Sequence, residues 1–222
     1  MKHVWLFLSA VLIMSLTGCD QKRSAHKPGR GTKASAGKMG VFAPAEVVLG
    51  TVEGSELRVL NEPLVFTGRN GKKWTAPKGT LTDGASIPDA ALPFIGDRFD
   101  SRYLNAAIVH DAYSQTDNEL VTVEQYRRRT WESTHRMFFD ACLAGGTPTV
   151  LAKTMYAGVL IGGPRWEADK REPSSGRNAR PTKAQIKTMT DRCKEFINGS
   201  DPKPEEIEAW VEDQRHELMS AK

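Results

Sequence analysis

Cysteine is scarce in this chain, with only Cys19, Cys142 and Cys193 among 222 residues. No two of them lie near each other, which excludes a zinc ribbon and a disulfide-dense scaffold. Long apolar runs are scarce too. The longest, from Val4 to Leu16, is broken by Ser9 and Ser15. A bilayer crossing needs about 20 apolar residues, so this run is too short to span comfortably. Positive charge is missing where nucleic acid would need it. The formal charge is +4, but residues 1–39 hold seven Lys/Arg and one acid. The remainder carries 24 basic and 26 acidic residues and is slightly acidic. That balance argues against a nucleic-acid partner. There is no internal repeat.

What stands at the N-terminus is a secretory pattern. Lys2 supplies the early cation, Val4–Leu16 the apolar core, and Thr17-Gly18 the small residues of a cleavage site. The ending Leu16-Thr17-Gly18-Cys19 resembles the lipobox of bacterial lipoproteins. The resemblance implies that residues 1–18 are removed and that Cys19 becomes the lipid-bearing N-terminus, with palmitate-type acyl chains on the mature protein. Two or more chains anchor far better than one, at about 0.8 kcal/mol per buried methylene. Asp20 resembles the signal that keeps such proteins in the inner membrane, which implies a periplasm-facing domain. Residues 19–40 are rich in Lys, Arg, Gly and Ser and cannot bury enough surface to fold. They read as a flexible basic tether, either a plain linker or one whose cations meet lipid headgroups or peptidoglycan.

The body reads as α+β: a small antiparallel sheet, then a helical bundle, with two extra C-terminal helices. Residues 41–170 form the domain and 171–222 the helical extension. Leu57–Leu60, Leu64–Thr67 and Trp74–Pro77 are short strands, and Asn70-Gly71 is a hairpin signal between Phe66 and Trp74. The pattern then turns helical. Asp100 or Ser101 caps a helix to about Ser114, and Thr122 caps a second from about Val123 to Ala144. Thr147-Pro148 opens a third, ended by Gly162-Gly163-Pro164 and apolar nearly all round. Amphipathic helices near Lys183–Asn198 and Pro204–Met219 close the chain. A bridge between Cys142 and Cys193 would staple a late helix to the one bearing Cys142, as an oxidising envelope permits.

His110-Asp111 lies inside a predicted helix, and Glu132-x-x-His135 follows one helix later. Residues three apart share a helical face, so Glu132 and His135 are expected together. Paired helices presenting such groups inward build metal sites. His110, Asp111, His135 and Glu132 are ligand types for a divalent zinc, iron or manganese ion, and Asp83 would add a carboxylate. The spacing matches neither a zincin nor any cysteine-based site. His-Asp followed by Tyr113 is similar to the active-site helix of secreted phospholipases A2, but the calcium loop and disulfides of those enzymes are missing. The alternative is a buried hydrogen-bond network with no chemistry. Trp74, Trp131 and Trp166 read as core or interface aromatics.

Three blocks in fixed order, Trp74–Gly79, Thr82–Pro88 and Ala106–Asp111, resemble the bacterial and phage family called domain of unknown function 1353. The later stretch from Arg129 to Trp166 is similar to its Gram-negative envelope branch. The resemblance places Asp83, Ser86, His110 and Asp111 at the family's polar positions. It implies that the Asp83 loop packs on the His110 helix, with Gly84 turning closely. Two functions stay open. The first is a membrane-anchored periplasmic hydrolase with His110 as general base, oriented by Asp111 or Asp83, or with a metal that activates water. The second is a non-catalytic envelope lipoprotein, of phage or plasmid origin, that binds peptidoglycan or an envelope protein.

Overall fold

The computed structural model describes residues 39–85, 96–169 and 181–220. Cys19, Asp20 and Ser86 lie outside the described residues. Two antiparallel sheets come first, each of three strands. Strands β1 (Gly40–Ala43), β4 (Leu64–Gly68) and β5 (Lys73–Ala76) form one, in the order β1-β4-β5. Strands β2 (Leu49–Thr51), β3 (Arg58–Leu60) and β6 (Leu81–Thr82) form the other, in the order β2-β3-β6. Helices α1 (Leu104–Ser114), α2 (Trp131–Ala144), α3 (Thr149–Gly162), α4 (Lys183–Ser200) and α5 (Pro204–Ser220) follow. The fold is α+β, with its strands divided between two sheets rather than gathered in one.

The β4–β5 hairpin follows its turn chemistry. Gly71 donates to the Gly68 carbonyl at 2.9 Å, and Gly68 donates to Lys72 at 2.9 Å. Gly71 has φ +75°, so a type I turn closes through a left-handed glycine. This register sets Phe66 opposite Trp74. Both side chains are buried.

Helix α1 is the centre of the domain. It packs against α2 on one side and against β4, β5 and β6 on others. Everything from Ala106 to Ser114 is buried. Ala106, Ala107 and Ala112 let neighbouring elements approach closely, while Ile108 and Val109 are fully enclosed. Enclosing a side chain of that size contributes about 1.5–3 kcal/mol. Helix α3 packs against α2, α4 and α5, which explains its apolar surface.

Two helix starts lie later than expected. Helix α1 begins at Leu104 because the Asp100 carboxylate accepts from Arg102 N–H at 2.9 Å, making a local turn rather than a cap. Helix α2 begins at Trp131, not Val123. The Thr122 hydroxyl donates to the Ala112 carbonyl at 2.7 Å instead of capping. Arg127 then takes φ +51°, which no helix interior accommodates. The cap of α2 is Thr130, whose side chain accepts from Ser133 N–H. In α4, Thr182 and Gln185 form a reciprocal capping box.

Cys142 and Cys193 are both free and buried, so the expected bridge is not formed. Cys142 belongs to α2, while Cys193 on α4 faces Ala157 and Ile161 of α3. Helix α3 packs between the two helices that bear the thiols. Burial pushes the Cys193 thiol up to about 12, far from a reactive thiolate.

Candidate functional site

Consecutive helical residues point about 100° apart, so His110 and Asp111 face different neighbours. His110 turns toward α2, where its Nε2 lies 2.9 Å from His135 Nδ1. Asp111 turns toward β6, where Thr82 Oγ1 donates to its Oδ2 at 2.6 Å. Thr82 Oγ1 in turn accepts from Gly84 N–H at 3.0 Å. Two polar links thereby meet on α1 as one backbone-connected chain, Asp111 tying it to the sheet and His110 to the second helix.

The chain has two further members. Ser114, one turn after His110, has its hydroxyl 3.1 Å from His110 Nδ1 and donates to the His110 carbonyl at 2.8 Å. Asn118 donates to the carbonyls of Asp111 at 3.0 Å and Leu81 at 2.8 Å, and accepts from Leu81 N–H at 2.8 Å. Asn118 thus stitches β6 to the C-terminal end of α1. The i,i+4 spacing of His110 and Ser114 was visible in the sequence. The roles of Thr82 and Asn118 depend on tertiary register and were not.

Burial decides the protonation states. His110 is 7% exposed, Asp111 4% and His135 0%. Removal from water lowers the His110 imidazole to about 4. His135 is also lowered well below its ordinary value, by burial, by His110 beside it and by the Arg165 cation. Both rings are therefore neutral at pH 7. One donates to the other across the 2.9 Å bond, with the tautomer free to be either. Burial raises Asp111 well above the usual carboxylate range, and Asp83 adds to this; Thr82 opposes it. His110 Nδ1 and Asp111 Oδ1 are 3.8 Å apart, beyond hydrogen-bond reach. With a neutral imidazole the contact is not an ion pair.

An aromatic and cationic shell surrounds His135. Trp131 and Trp166 meet its ring edge-on at centroid distances of 5.6 and 6.0 Å. Phe138 lies 5.1 Å from the His110 ring. Arg165 stacks its guanidinium 4.2 Å from the Trp131 centroid while holding Glu212 of α5. All three singled-out tryptophans are buried, as core aromatics should be. His135 Nε2 makes no hydrogen bond, although the Pro164 carbonyl lies near enough to favour a charged ring.

The expected metal set does not assemble. Among the described residues, no three His, Cys, Asp or Glu side chains converge on one point. Glu132 is exposed although His135 is fully buried. It occupies the first turn of α2, where a carboxylate is stabilised by the helix N-terminus in water rather than by a shared inward face. The two imidazoles bond each other, His110 Nε2 to His135 Nδ1. Asp83 is half-buried and close enough to Asp111 to raise its carboxyl. Gly84 has φ +78°, and a Cβ there would fall 2.4 Å from the Arg98 carbonyl oxygen. The loop does turn as closely as a glycine allows.

The profile of a family described as protein of unknown function (DUF1353) matches residues 58–159. That span contains His110, Asp111 and His135. An uncharacterized protein y4jT of Sinorhizobium fredii is 34% identical over 153 residues, covering 65% of this chain and 42% of the relative. The uncharacterized protein y4iH of the same organism is 38% identical over 109 residues, covering 49% of this chain and 41% of the relative. The match thus spans about four tenths of the length of each of these curated relatives. No solved structure matches.

Proposed function

With residues 58–159 a domain of the family described as protein of unknown function (DUF1353), we propose that this chain is a lipid-anchored envelope protein whose folded domain binds and does not turn over substrate at His110. The Leu16-Thr17-Gly18-Cys19 pattern supports the anchor. The single observation that carries the non-catalytic reading is the 2.9 Å bond between two buried, neutral imidazoles. A general base needs an accessible lone pair and an operating pKa near the working pH. His110 has both ring nitrogens engaged, is 7% exposed and titrates near 4. The cluster serves as a hydrogen-bonded clasp between β6, α1 and α2.

One observation favours the hydrolase reading instead. Ser114, His110 and His135 lie in line, in the order of a hydroxyl, a base and an orienting group. Ser114 is 3% exposed and already donates to a carbonyl, which weighs against a nucleophile.

Wild-type protein is expected to release nothing above buffer from purified peptidoglycan or phospholipid vesicles, while His110→Ala lowers its thermal midpoint. Hydrolysis that vanishes in His110→Ala and Ser114→Ala with the midpoint unchanged would overturn the non-catalytic reading. For the anchor, Cys19→Ser should abolish labelling by a radiolabelled fatty acid. Retained label would refute it.

A further inference from the structure

The β4–β5 hairpin ends in a cationic turn. Arg69, Lys72 and Lys73 lie close together there, and all three are exposed. Strands β1, β4 and β5 and the turn between β4 and β5 contain no Asp or Glu. Arg129 extends the patch, donating to the Lys73 carbonyl at 2.9 Å. It also stacks 4.1 Å from the Trp74 centroid, and Lys72 Nζ lies 4.9 Å from the same ring. Burial and the Arg129 charge lower the Lys72 ammonium, as crowding of like charge does.

The carboxylates nearby do not balance these cations. Asp140 of α2 is half-buried and is acted on by both Arg136 and Arg69. Glu208 of α5 accepts from Arg136 at 2.8 Å, and Glu205 also pairs with it. Arg69, Lys72, Lys73, Arg129 and Arg136 thus meet Asp140, Glu205 and Glu208, five cations against three carboxylates. Residues 40–222 hold 24 basic and 26 acidic side chains, so 19 and 23 remain for the rest of the body. The domain is positive at its hairpin end and negative elsewhere, an asymmetry that orients a protein in a charged field.

The N-terminal segment joins the domain at this same end. Gly40 of β1 lies opposite Gly68, the residue before Arg69. The Met39 thioether meets the Arg69 guanidinium at 3.0 Å. Residues 19–38 carry Lys22, Arg23, Lys27, Arg30, Lys33 and Lys38 against Asp20 alone. A segment of that length reaches no more than about 70 Å at full extension. A lipid on Cys19 therefore holds the domain to a bilayer by its hairpin end. Beside the turn, Val41 is 62% exposed, in the cross-strand row Val41–Thr67–Lys73 on the sheet face opposite Phe66 and Trp74.

We infer that the hairpin end docks on an anionic bilayer surface, with Arg69, Lys72 and Lys73 among the lipid headgroups, and so sets the orientation of the domain on the membrane. The inference rests on the lipid-anchor reading above and adds a folded contact to it. An anchor alone leaves the domain free to turn. Each Lys or Arg close to such a surface favours contact by about fivefold, so three favour the docked orientation by about a hundredfold.

The full lipidated chain in vesicles that carry a fluorescent headgroup lipid tests it. A donor dye is attached at Asn70→Cys in the turn or at Glu195→Cys on α4. Cys142 and Cys193 are buried, so the dye goes to the new thiol. Helix α3 packs between α2 and α4, which makes the second position remote from the hairpin. On vesicles containing anionic lipid, energy transfer should be stronger from position 70 than from position 195. The difference should vanish on zwitterionic vesicles and in about 0.5 M salt, where charge is screened within about 4 Å. The triple variant Arg69→Gln, Lys72→Gln, Lys73→Gln should reduce the docked population relative to the undocked by about a hundredfold and erase the difference. Its thermal midpoint should match wild type, since all three side chains are exposed. Equal transfer from both positions on anionic vesicles, or a difference that survives in the triple variant, overturns the docking while vesicle flotation still upholds the anchor. Protein that does not float with vesicles at all overturns both. None of those outcomes bears on hydrolysis at His110, which the peptidoglycan and phospholipid assays decide separately.

Discussion

Replacing His135 with alanine is expected to destabilise the domain by about 4 kcal/mol, close to the whole stability of a marginal protein. Two losses combine. The ring is fully enclosed, with Trp131, Trp166 and His110 against it. Emptying such a space costs about 2–5 kcal/mol where the neighbours cannot collapse. The neighbours here are large rings held by other contacts. Trp166 donates its indole N–H to the Arg129 carbonyl at 2.6 Å, and Trp131 lies under Arg165. Removal also leaves His110 Nε2 buried without a partner, which costs about 1–3 kcal/mol.

Three variants separate those contributions. His135→Phe refills the space but not the hydrogen bond, so it should retain part of the stability. His135→Gln restores a polar partner without the ring. The double variant His110→Ala, His135→Ala should cost less than the sum of the singles by about 1 kcal/mol, because each single already breaks the shared bond. Urea unfolding followed by tryptophan fluorescence measures all of them. A loss below about 1 kcal/mol for His135→Ala, the scale of an ordinary surface change, would show that the clasp does not hold the fold.

The parts of this architecture that the sequence discloses are those with local causes. Asn70-Gly71 announces the hairpin because turn chemistry is decided within a few residues, and the register of Phe66 and Trp74 follows from it. The ends of α3 are legible because Pro148 and Gly163-Pro164 punctuate them. Tertiary partners hide the rest. Thr122 reads as a cap until Ala112 and Asn118 supply carbonyls for its hydroxyl. The short strands β1, β2 and β6 have too few residues for a visible alternation and exist through their partners. In the site, His110 and His135 were identifiable by type and by lying on helices. Glu132 failed because a separation of three residues leaves a side chain about 60° off its neighbour. At the edge of a buried stripe, that offset is the difference between core and water. Thr82, the actual partner of Asp111, sits 29 positions away on another element, and no periodicity connects them.

Acidification is expected to weaken the domain from pH 6.5 downward, well before ordinary carboxylates titrate. His110 and His135 have ordinary values of 6.5, and burial lowers His110 to about 4 and His135 well below its ordinary range. Between pH 6.5 and about 4 the unfolded chain binds protons at both rings while the folded chain binds neither. Stability contributed by a depressed base is present above its unfolded value and is lost as pH falls toward the folded one. The His110 shift alone corresponds to roughly 3 kcal/mol. Two such rings give a slope of up to about 2.7 kcal/mol per pH unit. Asp111 works in the opposite direction. Its folded value is raised, so its contribution is fully present below the unfolded value of 3.8 and is lost as pH rises through the folded one. Acid therefore favours the folded state at Asp111 and, less strongly, at Asp140, whose carboxyl burial also raises, and opposes it at the two histidines, whose two large shifts outweigh the single large carboxyl shift. The depressed carboxyls of Asp100 and Asp191 enter only as pH falls below their unfolded value of 3.8, outside this window. Thermal midpoints measured from pH 8 to pH 4 should thus fall below pH 6.5 in the wild type. They should fall more steeply in Asp111→Asn, which removes the opposing group without changing its shape, and more gently in His135→Gln. A wild-type midpoint that stays level from pH 6.5 to pH 5, with Asp111→Asn equally level, would mean that the imidazoles reach water and take up protons in the folded state. An accessible, titrating His110 is what general-base catalysis requires and what a clasp excludes, so the same curve weighs the two functions against each other.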